Sequence, residues 1–172
     1  MKKTLRTLFA NVRRLHDRVF GLTAYLQSPF LLFIRLYWGW QLVQSGWGKL
    51  HNLDKVTEFF TSLNLPAPGE TALFIACVEF FGGIFFASGT FSRMTSFVLT
   101  LNLTMAYVLA DREALFSIFS APDKFQAAAP FNFLFAALII LIFGGGKLSV
   151  DAAVNYFLGH GEAEEVGGAV AA

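Results

Sequence analysis

Arg35 and Glu79 are ionisable side chains that each fall inside a hydrophobic run long enough to cross a bilayer. A charge at that depth costs several kcal/mol by most measures unless it faces protein, water or a partner, so each is a candidate functional group. A carboxylate can exchange protons with a bound molecule, and a guanidinium can attract an anion. The chain that carries them reads as a membrane protein with a polar interior.

Helical spacing places other residues beside this pair. At about 100° per residue, Arg35, Gly39, Leu42, Gly46 and Lys49 fall within about 40° of one line. Small residues on that line let a second helix approach closely. Glu79 shares its face with Ala72, Ile75, Gly83, Phe86 and Thr90. The depths of Arg35 and Glu79 differ by about 8 Å at helical rise, most of which an arginine side chain covers. A direct or water-bridged Arg35 to Glu79 pair is therefore expected. Three roles stand for it: a functional site, a pin that fixes helix register, or an Arg35 that snorkels to headgroups and leaves Glu79 protonated.

Asn102 and Asn132 add amides that prefer an interior, and Tyr37, Trp38, Trp40 and Tyr107 can line a pocket or simply pack. The candidate binding set is Arg35, Lys49, Glu79, Trp38, Asn102 and Asn132, with Glu79 and Arg35 as the catalytic candidates. An amphiphile with a polar head and a flat ring suits such a lining. Other chemistries are disfavoured. The one cysteine, Cys77, cannot form a thiol pair within the chain. His16, His51 and His160 stand in flanks and tails, so no haem is held between facing spans. No flavin or metal site is legible, and the glycines 144–146 lack the strand and helix of a phosphate loop. No nucleophile and base pair can be read. Any reaction would borrow its chemistry from a bound molecule or a partner.

The elements that must position these groups follow from composition. Residues are 55% hydrophobic, 16% aromatic and 15% charged, with 21 Phe among 172, where an ordinary soluble domain has about 25% charged. About 20 apolar residues are needed to cross roughly 30 Å of hydrocarbon. Runs at about 29–50, 71–89, 92–110 and 128–145 meet this reading. Helices satisfy their own backbone groups in lipid, and the alternation of a barrel is absent. The expectation is an all-α, polytopic four-helix membrane bundle over residues 28–152.

Residues 1–27 form a basic amphipathic leader, with Leu5, Leu8, Phe9, Val12, Leu15, His16, Val19 and Phe20 at helical spacing. It is expected to lie in the membrane interface or to dock a partner. Residues 153–172 are expected to be a flexible cytoplasmic tail, Gly, Ala and Glu-rich from 159 onward. The loop 50–70 holds a short amphipathic stretch that Pro66 and Pro68 stop, a lid over the outer mouth or a plain surface helix. The second outer connection, 111–127, carries Leu115, Phe116, Ile118 and Phe119 and is broken by Pro122. Lys and Arg crowd the leader, Arg93 and Lys147, which places both termini in the cytoplasm.

These landmarks resemble the DoxX family of small bacterial and archaeal four-helix membrane proteins. The resemblance rests on Arg35 with the GWGKL of 46–50, the VEFFGG of 78–83 with Gly89, and the GGGKLSVD of 144–151. A third glycine, Gly146, departs from members that carry a proline after the first glycine, and the leader lies outside the common core. The resemblance implies a multi-pass protein of a bacterial or archaeal plasma membrane. It also implies quinone-linked redox work, as in subunits of thiosulfate to quinone oxidoreductase or of quinol-oxidising assemblies. In that role Arg35 and Lys49 attract an anionic substrate and Glu79 exchanges protons with a quinone. The alternative it implies is a non-catalytic anchor for soluble redox or stress enzymes. Transport of a small acid or lipid ranks third. Partners are membrane lipids, a soluble redox protein or further copies of the chain, and no nucleic acid.

Overall fold

The computed structural model describes residues 2–158, with side-chain surroundings from residue 25 onward. In chain order come α1 (Lys2–Leu50), α2 (Leu53–Ser62), α3 (Pro68–Ser88), α4 (Ser92–Leu109), α5 (Arg112–Phe116), α6 (Pro122–Ala127) and α7 (Phe131–Phe143). A last helical stretch covers 150–158, and the described residues contain no strand. The protein is all-α.

Two boundaries differ from expectation. The leader and the first hydrophobic run are one unbroken helix, with Pro29 inside it. Proline removes a backbone donor and commonly ends a helix, yet α1 runs through. The side chains of 1–24, on which the interfacial reading of the leader rests, lie outside the described residues. The segment expected to be flexible from 153 is helical as far as 158, and 159–172 lie outside the described residues.

Turn chemistry sets the remaining ends. Pro68 opens α3, where its missing N–H is not needed. Gly89 closes it with φ 73°, its N–H donating to Phe85 O at 2.9 Å. Phe91, also left-handed at φ 46°, leads directly into α4. The turn is short, so α3 and α4 run antiparallel as neighbours.

The four long helices contact one another in a circuit: α1 with α3, α3 with α4, α4 with α7, and α7 with α1. Glycines bring α1 and α3 together. A Cβ added at Gly39 would stand 2.8 Å from the Ala87 Cβ, one at Gly83 would stand 2.7 Å from the Val43 N, and one at Gly46 would overlap the Phe80 backbone. Such close approach gains dispersion contacts where lipid offers no hydrophobic drive between helices. Leu31, Ile34 and Leu42 of α1 meet Phe86, Leu99, Leu103 and the Ala136, Ala137 and Ile140 of α7 in the core.

Polarity is inverted relative to a soluble fold. Arg35 is 0% exposed and Glu79 6%, while Phe33, Trp40, Phe74, Leu101 and Ile142 stand exposed on the outer faces. Among the described residues α3 alone is both long and apolar enough to cross a membrane, at mean hydropathy 1.8. The first run of the sequence is diluted by Arg35, Gln41 and Gln44, and the third by its hydroxyls and Asn102. The α7 helix is apolar but spans only Phe131–Phe143, about 20 Å at helical rise.

Candidate functional site

Glu79 projects from the buried face of α3 toward the last turn of α1. There it forms an ion pair with the Lys49 ammonium and accepts a hydrogen bond from the Ser45 hydroxyl at 2.9 Å. Ser45 and Lys49 sit one turn apart on α1, so both present to the same neighbour. Gly46 and Gly83 allow this approach. The Lys49 side chain keeps 32% of its surface exposed while the Glu79 side chain keeps 8%. The carboxylate is thus sealed into the protein, and the ammonium bridges it to open space.

That space is a cavity of about 430 Å³ whose wall is mostly apolar. Leu42, Ser45 and Lys49 form one side, Ile75 and Glu79 the next, and Asn102, Leu103 and Ala106 of α4 the third. The apolar face of α2, with Val56, Phe59, Phe60 and Leu63, covers it. Lys55 and Asp111 also belong to the lining. The Asn102 amide makes no hydrogen bond among the described residues, so both its donor and its acceptor remain available.

Arg35 belongs to a second polar cluster at the opposite end of the helices. Lys49 and Arg35 are about 21 Å apart along α1 at 1.5 Å per residue. The Arg35 Nη2 donates to the Leu148 carbonyl at 2.5 Å, and its Nη1 lies where a Cβ on Gly89 would be. Its Nε and Nη1 have no hydrogen-bond partner. Beside it, the Asp151 carboxylate accepts from the Phe91 and Ser92 N–H groups, both at 2.7 Å, and so caps α4. Burial pushes the Asp151 carboxyl up. The hydrogen bonds from Ser92 and Phe91 and the nearby Arg35 charge outweigh this and hold it below its ordinary value. The Asp151 N–H returns a bond to Gly89 O at 3.1 Å.

The expected Arg35 to Glu79 pair is therefore not formed: each has its own partners. Arg35 does not snorkel outward either, since it is fully buried. Of the other sequence candidates, Lys49, Glu79 and Asn102 meet at the cavity. Trp38 stands behind it, edge-on to Phe133 at 5.5 Å between ring centres, while Phe133 itself lines the wall. Asn132 is exposed and outside the lining. Sequence reasoning missed Ser45, although its place one turn before Lys49 marks it. It also missed Lys55, Asp111 and the pairing of Arg35 with the 144–151 segment, for which no local spacing exists.

A small all-α chain with charges inside and large apolar side chains outside is a membrane protein. The family model for DoxX matches residues 30–112, so this stretch is similar to the DoxX family. The matched stretch holds Arg35, Lys49, Glu79 and Gly89, while the 144–151 segment that contacts Arg35 lies beyond it. No curated protein and no solved structure matches the chain.

Proposed function

We propose that the chain is a four-span subunit of a quinone-linked oxidoreductase system in a plasma membrane, and that a quinone ring occupies the cavity beside Glu79. The observation that carries this is a single ion pair, Lys49 with Glu79, set in the wall of an otherwise mostly apolar cavity of about 430 Å³. That volume lies within the roughly 300–1,000 Å³ usual for small-molecule sites. The four spans are α1, α3, α4 and α7, whose outward faces carry Phe33, Phe74, Leu101 and Ile142. Basic residues in the leader, at Arg93 and at Lys147 support a cytoplasmic position for both termini.

The residues fit such a ligand. A bound quinone supplies two-electron, two-proton redox chemistry. Lys49 donates to a ring oxygen from one wall and the free Asn102 amide from another. Glu79, beside Ser45 and Lys49, is the carboxylate that would exchange a proton with the ligand. Phe59, Phe60 and Phe133 exclude water from the ring. Arg35 has no part in this site, and Trp38 supports it through Phe133.

A transport role has less support, because Leu42 on α1 and Phe86 on α3 stand between the two polar ends and belong to the apolar core. The rival scaffold reading is favoured by one observation: Glu79 already has two internal partners and can serve as a register pin. Native nanodiscs of wild type and Glu79→Gln, analysed by mass spectrometry for co-purifying small molecules, separate the two. Stoichiometric quinone in wild type and its loss in the variant supports the redox subunit. Bulk lipid alone in both samples would sink it in favour of the scaffold.

A further inference from the structure

The cavity wall includes apolar residues that also stand exposed on the outer surface. Two of its wall residues, Phe59 on α2 and Met105 on α4, are also half exposed, at 49% and 51%. Met105 continues the outward face of α4 formed by Leu101 and Val108. On the four-span reading Met105 lies on a span and meets lipid tails, and Phe59 lies on the short helix that joins two spans. The seam between them is structurally loose. The α2 helix packs on α3 and more lightly on α1, with no comparable packing on α4. Lys55, one turn before Phe59 on α2, and Asp111 add charge to the same lining.

On this geometry we infer that the ligand reaches the cavity laterally, through a portal between α2 and α4 framed by Phe59 and Met105, and that it is an amphiphile whose apolar tail stays in that portal. The inference rests on the quinone reading and narrows it to tail-bearing members of the class. The polar ring passes inward to Lys49, Glu79 and Asn102. The tail remains against Phe59, Met105 and the surrounding lipid, so it need not be desolvated into water at any stage.

Tail length and portal width are the variables to change. Full-length protein in nanodiscs is mixed with a decyl-tailed benzoquinone or with the same ring lacking the tail, and bound quinone is measured by mass spectrometry after timed desalting. Met105→Trp, which narrows the portal, is expected to slow uptake of the tailed probe at least tenfold and that of the tail-less probe by less than about threefold. Phe59→Ala, which widens it, is expected to speed the tailed probe, and its opposite sign separates access from misfolding. Equal effects on both probes, or no effect of either substitution on the tailed one, overturns the portal while leaving the site. Failure of wild type to take up either probe overturns the quinone reading, and the portal with it.

Discussion

The Nη1 of Arg35 occupies the space that a side chain at Gly89 would fill. This ties a buried charge on the first helix to the turn between α3 and α4. Gly89 meets two demands at once, since its φ of 73° also favours a residue without Cβ. Gly89→Ala is expected to destabilise the protein by more than the roughly 1–2 kcal/mol of left-handed strain alone, because the guanidinium must also move. Thermal melting in detergent reads this. A loss of only about 1 kcal/mol would mean the guanidinium relocates freely.

Lys49 and Glu79 are predicted to be coupled in stability as well as in binding. Glu79→Gln keeps an acceptor for Ser45 but leaves Lys49 without a counter-charge. The expected loss lies at or below about 1.5–3 kcal/mol, the range for hydrogen bonds to charged groups, because Lys49 retains solvent. Combined with Lys49→Met the penalty should be less than additive. A double-mutant cycle with strict additivity would show that the pair makes no net contribution.

Much of this fold was legible because helical periodicity is local information. The spacing of Gly39, Gly46 and Lys49 and the faces around Glu79 and Gly83 correctly placed small residues where α1 meets α3. The amphipathic stretch in the 50–70 loop is α2, and its apolar face does cover the cavity. Pairing between distant segments was not legible. Depth arithmetic alone put Arg35 within reach of Glu79, but the 144–151 segment folds back to supply Leu148 O and Asp151 from more than a hundred residues away. The join between the leader and the first run was not legible either: they were expected as separate elements, whereas α1 continues through Pro29.

Acid should act on the protein partly through Asp151. Its folded value is held below its ordinary value of 3.8 by the Ser92 and Phe91 N–H groups and by Arg35. A lowered folded value means that the stabilisation is fully present above the ordinary value and is lost as pH falls through the folded one. Asp151→Ala removes the cap of α4, at about 1 kcal/mol near neutral pH. The gap between the wild-type and variant melting temperatures should therefore close as the pH falls below about 4. A gap that stays constant down to the acid limit would rule out the titration of Asp151 as its source.

Arg35 and Glu79 are the two buried charges among the described residues, and their separation predicts that they fail in different ways. Arg35 touches Leu148 and Gly89 and does not reach the cavity. Between it and Lys49 lies Leu42, part of the apolar core and about 10 Å along α1 from either residue. Coupling across that distance without a shared partner is usually within about 0.5 kcal/mol. Arg35→Met removes the bond to Leu148 O but also removes two buried nitrogens without partners, so the net cost is small to moderate. Quinone occupancy in nanodiscs should consequently fall for Glu79→Gln and Lys49→Met and stay within about twofold of wild type for Arg35→Met. Loss of occupancy in a well-folded Arg35→Met protein would instead show that the two polar ends communicate through the core.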